Sequence, residues 1–187
     1  KDPALLAHSI NKLEKKLNSI HPELSKHSNE VGNISKEFGE YLNLEFDELN
    51  QLMSLGIYHD IGWINIGTEL LLKKETPTKE QREIINAHPE VGFRILKSIP
   101  ELNNIAETVL NHHEKWDGTG YPHGTKGKQI PFHSRILAIV DTYDMLINNS
   151  IYSPKMTIDE AIIELRKHSG TQFDPELTEK FIQYIKK

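Results

Sequence analysis

Apolar positions recur with the period of an α-helix along almost the whole chain. Leu6, Ile10, Leu13 and Leu17 form one stripe from Pro3 to Leu17, which predicts a charged amphipathic helix; residues 1–20 read as a linker or extension. Pro22 suits the first turn of a second helix running to about Leu42, and a third spans Phe46 to Ile61 and stops at Gly62. Leu70, Leu71 and Leu72 make too short a run to assign. Thr78 and Gln81 form a capping box opening a helix through Ser98, with Pro89 predicting a break near His88. A further helix covers about Leu102 to Glu114. The segment from Trp116 to Gly124 is too rich in Gly and Pro for helix and predicts a shaped loop. Helix resumes from Pro131 to about Asn148. Thr157 with Glu160 caps the next, ending at Gly170, and Asp174-Pro175 opens the last, through Ile185. With no strand pattern of more than a few residues and no repeat, the chain reads as all-α, with one bundle over 21–187.

Composition narrows the function. The 22 basic and 27 acidic residues give a formal charge of −5, which excludes a nucleic-acid-binding surface. No apolar run is long enough to span a membrane and no signal peptide opens the chain. A first residue of Lys1 rather than Met reads as a segment of a longer polypeptide, with an upstream regulatory domain expected. Cysteine is absent, so disulfides and thiolate metal sites are excluded and a reducing, cytoplasmic compartment fits. Against that stand 10 histidines, whose spacing is informative.

His59-Asp60 comes first. Adjacent helical residues diverge by about 100°, so both reach one cluster only if it is broad. Two metals about 3.5–4 Å apart supply that breadth, with the aspartate bridging. His112-His113 repeats the logic on another helix. His27 follows Glu23 by one turn, His88 lies at the Pro89 break, and Asp141 interrupts the apolar run from Ile136 to Val140, where a carboxylate needs a partner. Each has a plainer reading. A lone histidine is usually a surface or satisfied core residue, as for His8, His21 and His133, and a lone buried aspartate is often a cap. That reading weakens when five His and two Asp fall at element ends that can converge.

His59-Asp60-Ile61-Gly62 followed by the block from His112-His113-Glu114 to Gly120-Tyr121-Pro122 resembles the HD-GYP family of bacterial phosphodiesterases. His88-Pro89-Glu90-Val91-Gly92, the segment Arg135 to Asp144, and Thr171 to Pro175 extend the match, which runs from about His27 to the C-terminus. The resemblance implies the HD-domain fold, a bundle of about seven helices. It implies hydrolysis of cyclic di-GMP to pGpG and on to GMP in a bacterial cytoplasm. It implies that His27, His59, Asp60, His88, His112, His113 and Asp141 are metal ligands, with Glu23 at the position that holds a third ion in some members; an exposed carboxylate at a helix start is the alternative for Glu23. Thiolate-free ligands suit iron or manganese first, nickel or zinc next. The nucleophile is then a hydroxide bridging two or three divalent ions, with His59 and Asp60 at the centre of catalysis. Gly118, Tyr121 and Pro122 form the rim toward the cyclic dinucleotide, and the same loop is a surface for GGDEF (cyclase) domains. Asp117 is read as a tie within the loop.

The departures are at cations. The family's HDIGK lysine is Trp63 here, and the basic positions after the aspartate ligand are Ser150 and Ser153. Two lost hydrogen bonds to charged groups amount to roughly 3–6 kcal/mol, about 10²- to 10⁴-fold. Trp63 stacking on a guanine is one compensation; a packed aromatic is the alternative. Three readings therefore stand: an active phosphodiesterase with a divergent phosphate site, a catalytically weak nucleotide sensor or cyclase-binding module, and a hydrolase of another phosphoester.

Overall fold

The computed structural model describes residues 12–13, 15–16, 18–19, 22–66, 70, 76–148 and 155–187. Among them there is no strand, only one isolated bridge between Ser169 and Phe173. Helices α1 (Pro22–Tyr41), α2 (Phe46–Tyr58), α3 (Trp63–Ile66), α4 (Lys79–Asn86), α5 (His88–Lys97), α6 (Ala106–Leu110), α7 (Phe132–Ile147), α8 (Ile158–Lys167) and α9 (Pro175–Ile185) follow in order, with 3-10 turns at Pro100–Ile105 and Gly127–Gln129. Seven of the described helices have eight residues or more, the bundle that the periodicity predicts.

Local chemistry sets the boundaries. Thr78 and Gln81 exchange backbone-to-side-chain bonds at 2.9 and 3.2 Å, and Thr157 and Glu160 do so at 2.8 and 3.3 Å. Asp174 caps α9 by accepting from the Glu176 and Leu177 amides, while its other oxygen takes a 2.6 Å bond from Arg135 of α7. That pair ties α9 to α7. The helix expected from Thr78 to Ser98 is divided at Ala87, so Pro89 enters the first turn of α5 where its missing N–H costs nothing.

Two expected boundaries move. The third helix ends at Tyr58 rather than Ile61, and the helix predicted over Leu102 to Glu114 is a 3-10 turn followed by α6, ending at Leu110. Both shifts release ligand pairs from regular helix: His59-Asp60 and His112-His113 occupy turns. In the second case the Tyr121 amide takes the His113 carbonyl at 3.2 Å, so a loop strand occupies the position of a next helical turn.

The apolar stripes of α1 and α2 pack on each other and on α7, with Val31, Phe38, Leu52, Leu55, Ile136, Leu137 and Val140 fully buried. Most of the predicted N-terminal helix lies outside the described residues. Those described between 12 and 19 are helical, and Leu13 packs on the edge of the core.

Candidate metal centre

Three histidines are held by one local device. His59 Nδ1 lies 2.7 Å from the Gly56 carbonyl, His88 Nδ1 2.8 Å from Ile85, and His112 Nδ1 2.5 Å from Val109. In each case the acceptor is three residues back, a carbonyl of the preceding turn. Nδ1 therefore carries a proton and donates it, which leaves a bare lone pair on Nε2 of His88 and His112 and turns His59 Nε2 toward the carboxylates.

Those lone pairs converge. His88 Nε2 lies 3.3 Å from His112 Nε2 and 3.1 Å from His113 Nε2. Two bare imidazole nitrogens at 3.3 Å repel unless a cation lies between them. His59 Nε2 is fully buried without a hydrogen-bond partner, a costly state for a polar atom. This donor set fits a divalent metal.

The donors form two groups. Asp60, His88, His112 and His113 bring ligand atoms within 4.8 Å of one another, and so do His27, His59 and Asp60. Asp60 is common to both: its Oδ1 lies 3.3 Å from His88 Nε2 and its Oδ2 3.4 Å from His59 Nε2. Asp141 Oδ1 joins the second group, 3.0 Å from His27 Nε2 and 3.7 Å from His59 Nε2. His27 is steered by a side chain instead of a carbonyl. Its Nδ1 lies 2.6 Å from Asp144, one turn after Asp141 on the same face of α7, and Asn148 donates to the other Asp144 oxygen at 2.7 Å. The result is a carboxylate–histidine pair aimed at a ligand position.

The electrostatics divide along the same line. Burial works against a charged His27, but the hydrogen bonds its ring donates to Asp141 and Asp144 outweigh it and raise the ring to about 9. Burial likewise opposes charge on His59, and Asp60 and Asp141 raise it well above the ordinary value. Burial also disfavours the Asp60 and Asp141 carboxylates, yet the neighbouring histidines hold both far below the usual range. Across the site, burial and neighbouring rings push His88 and His112 down and lower His113 to about 4. One half offers neutral imidazoles; the other holds imidazolium–carboxylate pairs whose protons a metal would displace.

The profile described as HD domain matches residues 11–177. The chain belongs to the HD domain family. Its motifs and its relatives fit the HD-GYP branch of that family. A cyclic di-GMP phosphodiesterase of Thermotoga maritima is 35% identical over 166 residues, covering 88% of this chain and 45% of that protein. A cyclic di-GMP phosphodiesterase of Vibrio cholerae is 38% identical over 132 residues, covering 66% of this chain and 27% of its own length. The HD chain thus spans less than half the length of these relatives. In fold it resembles a cyclic GMP-AMP-specific phosphodiesterase of V. cholerae, with a TM-score of 0.73 at 22% identity, over 93% of this chain and 47% of that one.

Within this HD domain, the seven residues anticipated as ligands from His27 to Asp141 meet in one cluster. Glu23 does not join it; it lies exposed in the first turn of α1. Trp63 departs from its anticipated place toward the substrate. Its side chain is buried at 3% exposure, its ring stacks on His88 with centroids 5.0 Å apart, and its Nε1 donates to Asp60 Oδ1 at 3.3 Å. An indole enclosed in this way has no face left for a base. Tyr121 stacks on His113 at 4.9 Å, and burial with the nearby Asp60 and Asp141 charges pushes its hydroxyl above the ordinary phenol value. Gly118, at φ +84°, closes the loop against Gly124 and Lys126; Pro122 is half-buried beside Tyr121. Asp117 ties the loop internally, accepting from the Thr119 amide and hydroxyl at 2.9 and 2.7 Å. Ser150 and Ser153 lie outside the described residues.

Asp144 and Glu114 have roles here that their places in the sequence do not assign. Buried Glu114 accepts from the His123 amide at 2.7 Å and the Thr125 amide at 3.0 Å, clamping the loop after Tyr121 to the histidine turn. A glutamate directly after two candidate ligands was a signal for such a tie. Asp144 had one too, since it follows Asp141 by three residues on a helix.

Proposed function

We propose that this HD domain hydrolyses a phosphodiester bond of a cyclic dinucleotide, cyclic di-GMP first, at a centre of two divalent metals that share Asp60. The observation carrying this reading is the pair of donor groups joined through the two Asp60 oxygens. Metals held by His88, His112, His113 and Asp60, and by His27, His59 and Asp60, would supply Lewis-acid activation of water and neutralise charge on the phosphodiester.

The chain's own residues account for the rest. His59 and His88 are almost wholly enclosed, whereas the side chains of His27, Asp60 and Asp141 keep 18%, 16% and 11% exposure. Substrate therefore approaches over the carboxylates. Both stay ionised, so they accept hydrogen bonds from the attacking water and orient it. The water oxygen gives up a proton and bonds to phosphorus, the bond to the 3′ oxygen breaks, and that leaving oxygen takes up a proton to become the 3′ hydroxyl. Tyr121 remains a neutral hydroxyl against His113 and bounds the site on the loop side.

Iron or manganese is the preferred pair, ahead of nickel or zinc, because a mixed imidazole–carboxylate set suits octahedral centres. Onward conversion of pGpG to GMP, a GGDEF-domain partner at the loop after Gly118, an upstream regulatory domain and a bacterial cytoplasmic setting complete the proposal; Glu23, exposed and outside the cluster, leaves it at two ions. Among the described residues no helix is long and apolar enough to cross a membrane. One observation favours a weaker phosphodiesterase: the lysine position of the motif holds an uncharged, enclosed indole. The test is chromatography of products after Mn²⁺-loaded protein meets cyclic di-GMP. Linear pGpG or GMP supports the proposal; intact substrate with two metals bound refutes it and leaves a sensor or another phosphoester.

A further inference from the structure

We infer that Trp63 is a positioning residue of the metal centre, acting through Asp60 and His88; the inference rests on the metal reading above. Three observations carry it. Its Nε1 donates to the one Asp60 oxygen that faces His88, so the bridging carboxylate is fixed in rotation. Its ring lies parallel to the His88 imidazole, 17° between planes, which restrains a ligand whose Nδ1 is already tied to Ile85. Its own orientation is set by packing, since it is buried and opens α3 three residues after Asp60. A single side chain thus holds one ligand by hydrogen bond and another by its face, both in the group completed by His112 and His113.

Such a contact acts on the ligands before any metal arrives. An Asp60 carboxylate free to rotate, or a tilted His88 ring, presents its lone pair off the axis that the other donors define. Partners of this kind alter metal affinity by about 10- to 100-fold when removed. The indole serves a second purpose: it is a fluorophore in van der Waals contact with a ligand ring, so a paramagnetic ion bound there quenches it.

The test uses Mn²⁺ binding to wild type, Trp63→Phe, Trp63→Leu and Trp116→Phe, each checked for fold by circular dichroism, with affinity and stoichiometry from calorimetry. Trp63→Phe keeps the ring contact and loses the donor; its weaker-site Kd should rise about 10-fold. Trp63→Leu loses both and should rise toward about 100-fold. Mn²⁺ should quench emission in wild type and in Trp116→Phe. A folded Trp63 variant with wild-type Kd and stoichiometry overturns the inference, as does quenching that disappears with Trp116 and persists without Trp63. Should Trp63→Leu lose its fold, Trp63→Phe decides alone. A wild-type protein that binds no Mn²⁺ removes the metal reading itself, a result distinct from a bound metal indifferent to Trp63.

Discussion

Replacing Asp144 probes the centre without touching a ligand. Two hydrogen bonds end on its carboxylate, from His27 at 2.6 Å and Asn148 at 2.7 Å. Asp144→Ala removes a charged acceptor from each; one such bond is worth roughly 1.5–3 kcal/mol, and the stranded His27 N–H adds to the loss. His27 is then free to turn or change tautomer, and Kd for the ion it holds should rise about 10- to 100-fold, or ~1.4–2.7 kcal/mol. Asp144→Asn keeps an oxygen for His27 but not the charge, and should fall between wild type and Ala. Calorimetry with Mn²⁺ reads Kd and stoichiometry, and kcat/KM on cyclic di-GMP should fall in parallel. The metal-free protein adds a check of sign. His27 is raised to about 9 from 6.5, partly by Asp144. Its charged ring therefore stabilises the fold fully below pH 6.5, and that contribution is lost as pH rises through about 9. Asp144→Ala should thus be most destabilising near pH 6 and least near pH 9.5. A folded Ala variant binding two ions at wild-type Kd, with a pH-independent stability difference, refutes the reasoning.

Asp60→Asn should lower bound metal from two ions to one or none by elemental analysis, since each oxygen serves a different group; two tightly held ions would contradict the bridge. Metal binding near pH 7 should release protons from His27 and His59 but not from His113, with apparent affinity climbing until about pH 9. Calorimetry in buffers of different ionisation enthalpy measures the release, and none would contradict the paired-charge half of the site. Gly62→Ala sets a methyl 2.0 Å from the His88 carbonyl oxygen, so α5 must shift. A loss of about 1–3 kcal/mol in thermal unfolding and of the metal held by His88 should follow.

The bundle was legible because period and caps are local: Thr78, Thr157 and Asp174 mark helix starts without reference to the rest of the fold. The candidate cluster was legible because His59-Asp60 and His112-His113 are adjacent pairs inside motifs that resemble a known family. Their exit from helix was not, since the Tyr121 amide that takes the His113 carbonyl arrives from a loop. The Asp144 role needed a contact 117 residues along the chain. Trp63 read from the motif as either a substrate platform or a packed aromatic, and only its burial against the His88 ring decides for the second.

The tethers on His59, His88 and His112 end on the backbone carbonyls of Gly56, Ile85 and Val109, and no side chain of those three takes part in the bond. A backbone acceptor survives any substitution that preserves the turn, so a replacement of that kind at those three positions leaves the tethers in place. His27 is different, because its acceptor is a side chain that one nucleotide change can delete. Mutational fragility is therefore uneven across the centre, and drift that spares every candidate ligand runs through side-chain supports such as those at positions 144 and 63.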